Sequence, residues 1–327
     1  MTDCPGVPLS EFEVIRRYFT HPAPGARLGV GDDAAIVAAR RGMELVVTTD
    51  MLIAGRHFVR GTDPRRLGHK ALAVNLSDMA AMGAAPRWAT LALALPQADA
   101  RWLAAFSAGF MATARRNRVA LVGGDTTRGP LAICVQVIGE VPRGRALTRD
   151  GARAGHDIWV SGTLGDAALA VAAARGKLKL APSDRARVQS RLDAPRPRVE
   201  LGQRLRGVAA SAIDISDGLL ADLGHICERS GVAAVIEFER VPRSAVLRKH
   251  LDRPAARAAL LAGGDDYELL FTARRSRRAA ISRLARRVKA RLTRIGRTVK
   301  AGGARVTVLG RDGRPLRVEE TGFDHFA

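Results

Sequence analysis

Ten of the chain's 32 Asp and Glu residues stand in six short motifs, GVGDDAA, TTDM, NLSDMAAMG, GGDTT, DISDGL and GGDDYEL. This placement constrains the fold more than any other feature. The ten are Asp32, Asp33, Asp50, Asp78, Asp125, Asp214, Asp217, Asp265, Asp266 and Glu268. Every motif but NLSDM adjoins a short apolar or β-branched run with Gly, Ser or Thr beside it, as functional loops on a rigid scaffold do. A single Asp-Gly pair is more often a turn, since both residues favour turns conformationally. Six such motifs with apolar neighbours point instead to a site. Carboxylates brought together repel one another and need cations, and hard oxygen donors suit Mg²⁺, which bridges carboxylates to substrate phosphates. The pattern predicts a metal-nucleotide site.

The scaffold is legible from periodicity. SEFEVIRRYF (10–19) reads as a helix with Ser10 as N-cap and Glu13 at the capping-box position. Runs 28–37, 43–52, 118–126 and 131–141 read as strands, and 63–83 and 98–117 as amphipathic helices. In the second helix Trp102, Phe106 and Phe110 form a stripe that belongs to a core. Near residue 150 a Gly-rich turn region leads into a strand at 157–160 and an Ala-rich helix after SGTLGD. The second half then repeats the style of the first: a strand SAIDIS, a helix at 217–231, a strand VAAVIEF and the run 261–273. The fold class is therefore α/β or α+β in two domains, 1–150 and 151–327. SGTLGDAAL reads either as a phosphate cradle at a helix N-terminus or, preferably, as a tight strand-to-helix connection.

The net charge of +21 raises nucleic-acid binding as a competing reading. The densest basic cluster, 273–292, carries Ile281, Leu284, Val288 and Leu292 at helical spacing, so its arginines fill the solvated faces of a helix. Aromatic residues are only 4%, too few for an interleaved stacking surface. No specific nucleic acid is expected as a partner. No apolar run reaches the roughly 18 residues of a membrane span, and the N-terminus has no leader pattern, so a cytoplasmic location without membrane contact is expected. Cys4, Cys134 and Cys227 lack disulfide or zinc spacing and read as incidental thiols.

GVGDDAAIV, TTDMLIAGRHF, KALAVNLSDMAAMGA, LVGGDTTRGPL, GRALTRDGA, SAIDISDGLLADLGHI, GGDDYELLFT and the terminal GFDHF, in this order over nearly the whole chain, resemble the thiamine-monophosphate kinases of the aminoimidazole-ribonucleotide-synthetase-like superfamily. The resemblance implies a two-domain fold of mixed sheets flanked by helices. Its N-terminal domain binds ATP and Mg²⁺ and pairs sheets in a homodimer, and its C-terminal domain completes the active site. It implies ATP-dependent phosphorylation of thiamine monophosphate to thiamine diphosphate with several Mg²⁺ ions, and leaves a monovalent cation open. By the same resemblance Asp33, Thr48, Thr49, Asp50, Asp78, Asp125, Asp214 and Asp217 are metal ligands. Gly124, Asp125, Arg149 and Ser216 contact ATP, and His57, Asp265 and Phe323 contact substrate. Some members carry Glu at position 265, and the terminal aromatic varies among them. Asp32 reads equally as a turn former.

The chain has no G-x-x-x-x-G-K-[ST] and no protein-kinase set of motifs, so phosphate binding is expected to use metals. The acceptor is itself a phosphate, with a second pKa of about 6, so it needs no general base and no catalytic residue is assigned. Positioning and charge neutralisation are the tasks left to the protein. A superfamily enzyme with another acceptor is the alternative reading.

Overall fold

The computed structural model describes residues 9–318 and Gly322. The chain forms two compact units, one running up to residue 79 and from 85 to 143, the other comprising 80–84 and 144 onward.

In the first unit, helix α1 (Glu11–Val14) opens with the expected capping box. Ser10 Oγ accepts from the Glu13 amide, and the Glu13 carboxylate accepts from the Ser10 amide. The helix continues as a π-type turn, Ile15–Phe19. Strands β1 (Ala26–Leu28) and β2 (Ile36–Val37) form a short antiparallel pair. The expected strand 28–37 is thus interrupted: GVGDDAA is a loop, turned where the Asp33 amide donates to Asp32 Oδ1 at 2.9 Å. There follow β3 (Met43–Ile53), α2 (Pro64–Ala81), β4 (Ala85–Leu95), α3 (Ala100–Asn117), β5 (Ala120–Arg128) and β6 (Ala132–Pro142). Their sheet has the order β3-β6-β4-β5, with β4 and β5 parallel and the other neighbours antiparallel. The sequence reading assigned no strand at 85–95. Its Ala/Leu run has weak strand propensity, and pairing on both sides makes it a strand. Asp99 caps α3 by accepting from the Arg101 and Trp102 amides, and the Trp102, Phe106 and Phe110 rings stack along it, with Phe106 and Phe110 fully buried.

The second unit contains β7 (Asp157–Ser161), α4 (Asp166–Ala174), α5 (Pro182–Asp193), α6 (Val199–Leu205), β8 (Ser211–Asp214), α7 (Leu219–Ser230), β9 (Val232–Glu237), α8 (Ala245–Lys249), α9 (Pro254–Leu261), β10 (Leu269–Ala273), α10 (Arg278–Arg287), β11 (Leu292–Lys300) and β12 (Val306–Leu309). The sheet order is β12-β9-β11-β7-β10-β8, parallel only between β12 and β9. Every residue of β7, β8 and β10 is buried, so these strands read as apolar runs without alternation. One apolar cluster holds Ile158, Val160 and Leu270, the other Trp159, Phe271 and the inner residues Ile281 and Leu284 of α10. The division between units falls at 143/144, earlier than residue 150. Residues 147 and 148 already bond within the second unit: the Leu147 amide donates to the Met82 carbonyl, and the Thr148 carbonyl accepts from the Ala212 amide. Among the described residues no helix is long and apolar enough to cross a membrane.

Candidate active site

Within the first unit the acidic motifs lie in strands and helices as well as loops. Thr48, Thr49 and Asp50 sit inside β3, not at its end, because the strand is paired with β6 over its whole length. Alternation half-buries Thr48 and Asp50 and exposes Leu45, Val47, Thr49, Met51 and Ile53. Thr48 Oγ1 donates to Asp78 Oδ2, joining two motifs that stand 30 residues apart. Asp125 is exposed within β5, opposite Ala92. A register shift at Ala89/Thr90 leaves Val122 as an extra residue, and the next turn of backbone depends on Gly124. Its φ is +156°, and a Cβ there would stand 1.9 Å from the Leu91 carbonyl oxygen. β3 and β5 are the two outer strands of the sheet, so Asp50 and Asp125 are separated by three strand spacings, about 14 Å. Asp33 is exposed in the 29–35 loop. His57 closes the turn after β3: its Nδ1 accepts from the Ile53 amide at 3.0 Å, and its own amide donates to the Ile53 carbonyl.

The second unit gathers its motifs more tightly. Asp214 ends β8, buried and opposite Leu269. Ser216 and Asp217 follow in the loop before α7, and Asp265 lies in a neighbouring loop whose amide donates to the Ser216 carbonyl at 2.9 Å. The Tyr267 amide donates to the Ile215 carbonyl at 2.8 Å. Both Asp265 (φ 67°) and Tyr267 (φ 50°) are left-handed, a conformation that costs non-glycine residues about 1–3 kcal/mol each and clusters at functional sites. Gly264 permits the approach, for a Cβ there would meet the Ser216 carbonyl oxygen at 2.2 Å. Arg149 is exposed, its carbonyl accepting from Ser230 Oγ. Phe323 lies outside the described residues, as does Cys4.

Buried acids underpin these loops. Asp222, in the first turn of α7, accepts from the amides of Ser216, Asp217 and Gly218. Burial, then the charge of Asp217, pushes its carboxyl up to about 7 against those three hydrogen bonds. Both oxygens of Asp266 accept from the Gly165 amide at 2.9 Å, and burial raises its carboxyl well above the usual range. The SGTLGD turn is therefore occupied by the chain's own carboxylate, which favours the connection over the phosphate cradle. Glu268 meets Arg198, Arg191 and Ser161 Oγ.

Among the described residues no three His, Cys, Asp or Glu side chains converge as a ready metal cage. The available donors are hard carboxylate and hydroxyl oxygens, and Thr48 and Asp78 are already paired within the first unit. Mg²⁺ takes one or two carboxylates plus substrate phosphates and waters, so this donor chemistry fits it.

Residues 31–141 match the AIR synthase related protein N-terminal domain, and 153–309 the corresponding C-terminal domain. A thiamine-monophosphate kinase of Escherichia coli K12 is 43% identical over 322 residues, covering 97% of this chain and 98% of that protein. The chain belongs to the thiamine-monophosphate kinase family. The crystal structure of the Stenotrophomonas maltophilia K279a kinase superposes with a TM-score of 0.82 at 50% identity, covering 90% of this chain and 93% of that one. AaThiL complexed with AMPPCP and TMP, 32% identical, gives 0.76 over 88% and 89% of the two chains. The fold is thus the family's two-domain α/β arrangement with mixed sheets.

The reading by residue type passed over Asp222, within one of these motifs, and Arg191 and Arg198, outside them. The acid four residues after Gly218, in the first turn of a helix, is a local sign of loop capping. The partnership of Glu268 with Arg191 and Arg198 spans at least 70 residues and has no local sign.

Proposed function

We propose that this chain transfers the terminal phosphoryl group of ATP to the phosphate of thiamine monophosphate, giving thiamine diphosphate and ADP. The observation that carries the reading is the full-length likeness to thiamine-monophosphate kinases, one of them a complex with AMPPCP and TMP, beside the eight motifs quoted above. A phosphate oxygen of the acceptor attacks the γ-phosphorus as the bond to ADP breaks. The acceptor is mostly dianionic at neutral pH, so no side chain has to remove a proton. The chain's residues hold two anions in line and keep them from repelling each other.

Asp33, Thr48, Thr49, Asp50, Asp78, Asp125, Asp214 and Asp217 are the Mg²⁺ donors in this reading, and bound Mg²⁺ supplies the neutralisation of phosphate charge. Gly124, Asp125, Arg149 and Ser216 receive ATP, and the Arg149 guanidinium suits phosphate bidentately. His57, Asp265 and Phe323 receive the substrate. A homodimer is part of the proposal. Among the described residues nothing covers Leu45, Val47, Met51 and Ile53, which edge strand β3 exposes on one face as an apolar stripe of the kind a second copy covers. A second copy laying its β3 beside β5 also shortens the 14 Å spacing of about three strands between Asp50 and Asp125.

Phosphorus NMR of the purified chain with ATP, Mg²⁺ and thiamine monophosphate tests the reaction. Thiamine diphosphate and ADP should appear together, only with metal and not from free thiamine; ATP consumption with a different acceptor alone would reject it. Asp125→Asn should abolish turnover in a folded protein, and a fully active variant removes Asp125 from the ligand set.

A further inference from the structure

The loop that carries Ser216 and Asp217 resembles an anion site. Three successive amides, at the start of a 12-residue helix, turn toward one point. That point is already filled. Asp222 Oδ2 accepts from the Ser216, Asp217 and Gly218 amides at 3.1, 3.2 and 3.1 Å, and the residue is 2% exposed. Such a nest of amides also suits a phosphate or another external anion. From the other side, the Ile215 and Ser216 carbonyls accept from Tyr267 and Asp265, which are held left-handed to do so. The loop's backbone is thus engaged on both sides by the chain itself. The α4 N-terminus repeats the device, its Gly165 amide closed by Asp266.

We propose that Asp222 is a positioning residue for nucleotide binding: by occupying the amide nest it holds loop 215–218 in one shape and leaves only the side chains of Ser216 and Asp217 to meet the metal-nucleotide. This rests on the reading of that loop given above. Asp222 touches no substrate in this account. A buried carboxylate that merely plugged a helix end would contribute to stability and leave ligand affinity alone.

The test uses the full chain and the affinity for AMPPCP with Mg²⁺, measured by calorimetry, alongside hydrogen exchange of the amides at 215–218. Loss of all three hydrogen bonds to the loop predicts that Asp222→Ala weakens the nucleotide by roughly 10-fold or more, and Asp222→Asn, which keeps an acceptor oxygen, by about 3-fold. Exchange at 215–218 should rise in the same order. Formate, which fits the vacated nest, should restore affinity to Asp222→Ala and leave the wild type unchanged. Asp184→Asn, which breaks the buried end of the Lys249 ion pair on α5, is the stability control and should keep full affinity. Should Asp222→Ala not fold, Asp222→Asn decides: unchanged affinity and unchanged exchange overturn the proposal, as does an equal loss in Asp184→Asn. Asp217→Asn separates the two layers of the argument. If it binds AMPPCP as the wild type does, the nucleotide role of the loop fails and the proposal with it, even where exchange still reports Asp222 shaping the backbone.

Discussion

Replacing Glu268 by Gln should destabilise the second unit far more than an ordinary charge removal. Glu268 is 1% exposed and accepts from Ser161 Oγ at 2.5 Å, Arg198 Nε and Nη2 at 2.6 and 2.5 Å, and Arg191 Nη2 at 3.1 Å. Burial alone would lower the Arg198 guanidinium's pKa, but the hydrogen bond to Glu268 and its charge raise it. The amide keeps one acceptor and turns its NH₂ toward two cations. Breaking a buried ion pair costs about 3–5 kcal/mol because the remaining charge is stranded. Both arginines are 24% exposed, so water recovers part of that, and the loss should be about 3 kcal/mol. For a unit of this size each kcal/mol lowers Tm by about 2–4 °C, so calorimetry should show the second unit melting roughly 6–12 °C earlier. Arg198→Met should cost more than Arg191→Met, since Arg198 is bidentate. A loss below about 1 kcal/mol, the range of exposed pairs, or the reverse order of the two arginines, would refute the argument.

If the proposed homodimer pairs through the β3 face, where Val47 is 56% exposed, Val47→Lys should leave a folded monomer in light scattering; an unchanged mass would remove that face from the interface. Gly124→Ala should cost about 3 kcal/mol by urea titration, since the new methyl meets the Leu91 carbonyl, and a neutral result would mean the β4–β5 contact yields easily. Asp266 gives a pH prediction. Its carboxyl is raised in the folded chain, so its contribution is fully present below the unfolded value of 3.8 and is lost as pH rises through the folded value. Stability should therefore fall less between pH 4 and neutrality in Asp266→Asn than in the wild type; equal slopes would show that Asp266 does not titrate there.

The residues themselves determined a good deal. Ser10 and Glu13 signal the α1 cap, and Trp102, Phe106 and Phe110 signal a buried helix face, because the chemistry and the spacing are both local. The outward arginines of α10 follow from Ile281 and Leu284, its buried residues, but the helix is shorter than the four-residue stripe implied: it ends at Arg287, Val288 is its C-cap and Leu292 opens β11, where strand pairing takes over. The order of the acidic motifs along the chain identified the family. Non-local pairing decided the rest. Residues 85–95 are a strand because β5 and β6 flank them, and GVGDD is a loop because β1 and β2 are too short to include it. Only the folded register places Asp50 and Asp125 on opposite edges of one sheet and Thr48 against Asp78. The same holds for Asp266 and Glu268, which stand among the acidic motifs, and for Asp222, which the sequence reading passed over. Burial makes an unpaired carboxylate costly, so what each one does depends on which amides and guanidiniums the tertiary structure brings to it.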